Sequence, residues 1–123
     1  MIKIAVIGGT DCIGKDMCLV SKHDDYDILI VSYMSCSMLA KWALGIDEDF
    51  EKAFLNNKPV FVLKDGLQYK RIIDKAVFQM YSVYRRILQS YGVKFIESIN
   101  SIRIDKYYDN WYSKGKCVGN KKG

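Results

Sequence analysis

Four short apolar runs divide the chain: residues 3–8, 27–32, 59–63 and 93–97. The second is continuous from Ile28 to Val31 without alternation, which is the pattern of a strand buried on both faces and the habit of parallel sheets. Pro59 opens the third run, where its missing N–H costs least. Between the runs the apolar spacing changes to that of helices. Ser35 precedes Met38, Leu39, Trp42 and Ala43, and Gly45 stands where such a helix would end. Asp47 is placed to cap a second helix with Phe50, Ala53 and Phe54 facing inward, and Asn57 breaks it. A long helix is predicted over 73–91, with Ile73, Ala76, Val77, Met80, Tyr84, Ile87, Leu88 and Tyr91 on its apolar stripe. Asp74, Lys75, Gln79, Arg85, Arg86 and Gln89 take the other face, and Gly92 follows as the terminator. Thr10 or Asp11 is expected to cap a further short helix through Lys22. Strands alternating with helices predict an α/β fold: a three-layer sandwich with about four parallel strands, flavodoxin/Rossmann-like.

The 123 residues predict one domain over 1–100, followed by an aromatic and then basic tail over 101–123. The formal charge of +5 is uneven, because residues 103–123 hold six basic and two acidic side chains and so carry +4 of it. Nucleic-acid binders spread basic charge over a folded face, so this distribution reads as a solvated tail and argues against a nucleic-acid partner. In the tail, Tyr107, Tyr108, Trp111 and Tyr112 are expected to cover the sheet edge or a partner subunit. With half the residues hydrophobic, a disordered chain is excluded. No apolar run reaches the roughly 20 residues that span a bilayer, and the first residues lack the pattern of a secretory signal. A cytoplasmic location with no membrane partner is expected. Cys12, Cys18, Cys36 and Cys117 form no CxxC pair and His23 is the single histidine, so no metal site is expected.

In an open parallel sheet, ligands bind beyond the C-terminal strand ends, at the point where strand order reverses. Three loops fall there. Gly8, Gly9 and Thr10 offer backbone N–H groups before the expected first helix, a recipe for holding an anion; a plain strand-to-helix turn explains them equally well. Ser35, Cys36 and Ser37 offer hydroxyls and N–H groups to a phosphate or to the polar edge of a planar ring; a serine cap is the alternative. Asp65 and Gly66 complete the set.

The stretch from Asp27 to Asp47 resembles the FMN-binding flavoprotein family that includes phosphopantothenoylcysteine decarboxylase, whose strand is followed by Ser-Ala-Asn-Thr, Ala-Lys and Gly elements. Ser35, Leu39, Ala40, Lys41, Ala43, Gly45 and Ile46 match that pattern, while Ser37 and Met38 stand in place of its Asn and Thr. The segments around Lys64–Leu67 and Tyr91–Val93 look like the flavoprotein-like proteins associated with ethanolamine utilisation. The resemblance covers about residues 27–97. It implies FMN or another phosphate-bearing small molecule as ligand, homo-oligomers, and the loops above as cofactor-binding residues; it assigns no catalytic residue. A second resemblance, to nucleoside deoxyribosyltransferase-like enzymes, implies Glu48 or Glu51 as a nucleophile. The same acids read as a first helical turn complementing the helix dipole. A non-catalytic assembly protein is the third reading.

Overall fold

A computed structural model describes residues 2–14 and 17–102. The aromatic cluster at 107–112, the basic tail and Cys117 lie outside the described residues. Among the described residues five parallel strands form one sheet: β1 (Lys3–Ile7), β2 (Cys18–Val20), β3 (Ile28–Val31), β4 (Val60–Leu63) and β5 (Lys94–Ile96). Their order is β2-β1-β3-β4-β5, the arrangement of flavodoxin-type sheets. The α/β class is as expected, with one strand more than expected.

The additional strand replaces the helix expected from Thr10 or Asp11 through Lys22. After Gly9 the Ile13 N–H donates to the Thr10 carbonyl (3.0 Å) and the Met17 N–H to the Gly14 carbonyl (3.2 Å), and Cys18–Val20 then pairs with β1. Helix competes poorly here, because Gly9 and Gly14 carry the largest backbone-entropy cost and β1 offers an open edge. The pairing joins residues 15 apart, Lys3 with Cys18, so local pattern does not announce it.

The other expected elements form close to their expected bounds. α1 (Cys36–Ala43) is capped by Ser35, whose hydroxyl accepts the Met38 N–H at 3.1 Å. Gly45, at φ +74°, ends it in a conformation other residues rarely adopt. α2 (Glu48–Leu55) is capped by Asp47, which accepts the Phe50 N–H at 3.0 Å, and Asn57 leaves it at φ +54°. α3 (Lys75–Ser90) is capped by Asp74 and ends before Gly92 at φ +97°.

Both sheet faces are buried. Ala5, Leu29, Val31, Val60 and Val62 point to the side where α1 contributes Leu39 and Trp42, α2 contributes Phe50 and Ala53, and α3 contributes Leu88. Ile4, Ile28, Ile30 and Phe61 point the other way, where the described cover is Ile13, Met17, Ile99 and Ile102. The three described α-helices therefore lie on one side, and the described cover of the other includes a single turn of 3-10 helix, Ile99–Ser101. Trp42 is fully buried, and its indole N–H has no partner among the described residues.

The apolar stripe expected on α3 is rotated. Phe78, Tyr81, Tyr84 and Leu88 pack on the core, whereas Ile73, 95% exposed, lies before the helix in solvent, and Val77, Met80 and Val83 are exposed. The apolar arc of α3 is wide enough to allow either face inward. The aromatic rings, which bury most area, decide.

Candidate functional site

Strand order reverses at β1, whose neighbours are β2 and β3. The loops after β1, β3 and β4 meet at the C-terminal sheet edge. Ser32, directly after β3, ties the first two together: its hydroxyl donates to the Gly9 carbonyl at 2.6 Å and lies 3.3 Å from the Ile7 carbonyl, while its N–H donates to the Ile7 carbonyl at 2.9 Å. Gly8, at φ +107°, has no room for a side chain, since a Cβ there would stand 2.5 Å from the Ser32 hydroxyl and 2.9 Å from the Tyr33 nitrogen. The β4 loop closes on the same spot. Met34 N–H donates to the Gly66 carbonyl at 2.9 Å, and Gln68 N–H to the Met34 carbonyl at 3.1 Å. Gly66 is buried against the Ser32–Tyr33 backbone.

This arrangement distributes the sequence candidates unevenly. Gly8 and Gly66 serve the close approach of backbones. Gly9 and Thr10 are exposed at the rim of the β1 loop, but among the described residues that follow them up to β2 there is no helix, so the expected helix N-terminus is not found behind this loop. The helix that does begin at this edge is α1. The Ser35 hydroxyl is engaged as its cap, the plain reading of that serine. Cys36 is turned partly into the core, whereas Ser37 is exposed, as is Asp65. Thr10 and Ser37 present hydroxyls with no hydrogen-bond partner among the described residues. Of the candidates, Gly8, Gly9 and Gly66 are brought together around Ser32.

Two residues at this edge were not among the candidates. Tyr33 follows Ser32 and is 51% exposed, an aromatic residue whose backbone passes close to both Gly8 and Gly66. The signal was present in the sequence, since an apolar strand ending in Ser-Tyr delivers a ring to the sheet edge. Arg85 belongs to the face of α3 expected in solvent; instead its guanidinium donates to the Tyr69 hydroxyl at 3.2 Å and stacks 4.9 Å from the Phe95 ring centre.

The acids of α2 lie beside another connection. Asp49 pairs with Lys22 at 2.8 Å, and the Lys52 ammonium donates to the Lys22 and Asp24 carbonyls at 2.6 and 2.7 Å. The hydrogen bond to Asp49 raises the Lys22 pKa, and burial raises that of Tyr26, with the Asp49 charge adding to it. Glu48 and Glu51 are exposed in the first turn, where negative charge complements the helix dipole. Among the described residues no group of His, Cys, Asp or Glu is arranged to hold a metal ion, and no helix is long and apolar enough to cross a membrane. No protein family, curated protein or solved structure matched the chain.

Proposed function

We propose that this chain is a small flavoprotein-like protein that takes a phosphate-bearing planar ligand, FMN by the resemblance, between the loops after β1 and β3. The observation carrying this reading is the strand order, whose reversal point brings those two loops side by side; flavodoxin-type sheets bind FMN at this point. Tyr33 supplies a ring for stacking. The Thr10 and Ser37 hydroxyls and the first turn of α1 supply polar contacts. Because Ser32 and Gly66 lock the loops to one another, little ordering cost remains for a ligand to meet. The fold without its cofactor is the companion form of this reading.

Self-association belongs to the same proposal, supported by the exposed apolar residues Val77, Met80 and Val83 along α3; sedimentation equilibrium tests it. A cytoplasmic setting fits the free thiols Cys12, Cys18 and Cys36. The nucleophile reading of Glu48 or Glu51 has no comparable support, since both acids sit where the dipole alone accounts for them.

The test is titration of the protein with FMN, followed by quenching of flavin fluorescence. Each neutral hydrogen bond is worth about 0.5–1.5 kcal/mol, so Ser37→Ala and Thr10→Ala should each weaken binding roughly 2- to 13-fold, and Tyr33→Ala should weaken it further. Unchanged affinity in all three variants refutes the site. No flavin binding by the wild type leaves the resemblance to the fold alone.

A further inference from the structure

Away from the β1–β3 loops, the other end of the same sheet edge gathers positive charge. Lys64 directly follows β4 and Glu97 directly follows β5. Leu63 pairs with Ile96 in the sheet, so the next residues on each strand are neighbours, and the Lys64 ammonium meets the Glu97 carboxylate at 3.0 Å. Val62 and Phe95 belong to the helix-side core and Leu63 and Ile96 to the opposite one. By that alternation Lys64 and Glu97 turn toward α3, where Arg85 waits.

Arg85 is half-buried and makes no ion pair among the described residues. It is held on two sides, by the Tyr69 hydroxyl at 3.2 Å and the Phe95 ring at 4.9 Å. Tyr69 is itself fixed, being buried against Phe78 and Tyr81. The guanidinium is thus oriented in advance, and its remaining N–H groups are not consumed by a carboxylate. An oriented guanidinium binds a planar or tetrahedral oxyanion with less entropy loss than a free side chain. Lys70, next to Tyr69, adds a third cation. The electrostatics agree: the Lys64 hydrogen bond and charge hold the Glu97 carboxyl below its usual range, and Lys70 and Arg85 pull in the same direction.

We propose that Arg85, Lys64 and Lys70 form a binding site for a phosphate group at the β4–β5 end of the sheet, and that Glu97 is a resident anion which the ligand displaces from Lys64. Lys64 and Arg85 outnumber the single Glu97 carboxylate, and with Glu97 swung away both face the ligand, while Lys70 adds its charge from the neighbouring turn. A dianionic phosphate, free or as a monoester, neutralises most of that charge, whereas a monocarboxylate neutralises only what Glu97 already does. The exchange needs no backbone movement, because Glu97 is largely exposed and rotates into solvent. This site stands whether or not the β1–β3 loops hold a flavin.

The experiment is calorimetric titration of the full chain with inorganic phosphate at low ionic strength, with acetate as the monoanion control and glycerol phosphate as the monoester. Charge-assisted hydrogen bonds lead to an expected loss of roughly 10- to 100-fold in phosphate affinity for Arg85→Met. Arg85→Lys keeps the charge but not the two-pronged geometry, and should also weaken binding several-fold. Glu97→Gln removes the competitor and should tighten it. Melting followed by circular dichroism checks that each variant folds; if Arg85→Met does not, Arg85→Lys and Glu97→Gln decide the matter. The proposal is overturned if the wild type shows no saturable phosphate binding, if acetate binds as well as phosphate, if Arg85→Lys leaves affinity unchanged, or if Glu97→Gln fails to increase it. Glycerol phosphate binding more tightly than inorganic phosphate identifies the ligand as a monoester, and the reverse order identifies it as the free ion.

Discussion

Replacing Gly66 with alanine should be among the most damaging single-methyl changes available to this protein. A Cβ at Gly66 would overlap the Ser32 carbonyl oxygen, stand 2.7 Å from the Ser32 carbonyl carbon and 3.0 Å from the Tyr33 Cα. All three atoms are backbone or bonded directly to it, so no side chain can swing aside. Either the β3 loop or the β4 loop must move by about an ångström. Overpacking of this kind costs about 1–3 kcal/mol. Movement also strains the Met34–Gly66 and Gln68–Met34 hydrogen bonds, each worth about 0.5–1.5 kcal/mol. The total comes to about 2–6 kcal/mol, a large part of the stability of a domain this size. Urea unfolding should show a lowered midpoint, and the melting temperature should fall by about 10 °C or more. Gly9→Ala is the internal control. It meets nothing within 4 Å and has no positive φ, so it should be neutral or should stabilise by up to about 1 kcal/mol through the unfolded chain. A Gly66→Ala protein within about 1 kcal/mol of wild type would show that the β3 and β4 loops are not locked together as described.

Two further outcomes follow from the caps and the charge pairs. Ser35→Ala should cost about 1 kcal/mol by removing the α1 cap, whereas Ser37→Ala should stay within about 0.5 kcal/mol; equal losses in chemical denaturation would discredit the cap. Lys22 and Tyr26 both have raised pKa values, so the folded chain holds both protons more tightly than the unfolded chain. Their contribution is complete below about pH 10 and is lost as pH rises through the folded values. Asp49→Asn removes an acid that acts on both, so its urea midpoint should decline less between about pH 9 and pH 11; an unchanged slope would refute the coupling.

The strands β1, β3 and β4 were legible because buried parallel strands leave apolar runs, as in Ile28–Val31, and β5 because Phe95 and Ile96 follow directly on a helix terminator, Gly92. Helix ends were legible because Ser35, Asp47, Gly45 and Gly92 act within a few residues of where they stand. Hidden from the sequence was whatever depends on distant partners. Cys18–Val20 is a strand because β1 has an edge to offer. The inward face of α3 was set by Phe78 and Tyr81 against Tyr69, and that choice turned Arg85 toward Phe95. At the candidate site, the glycines were recognisable as special, but their reason was not. Gly8 and Gly66 make room for Ser32 and Tyr33, and only the assembled sheet puts those segments side by side.

The two border strands of the sheet, β2 and β5, are three residues long each. An exposed border is a template on which another chain can add a strand, and long flat borders lead to fibrous association. Here each border offers too few unpaired backbone groups to hold a foreign strand. Lys94 places a charge at the start of one of them. The longer strands, with their wholly apolar runs, are confined to the interior of the sheet, out of reach of a second molecule. Among the described residues, a second copy would therefore find side chains on helices and loops to meet rather than a strand border, and a contact of that kind would be open to disruption by single surface substitutions.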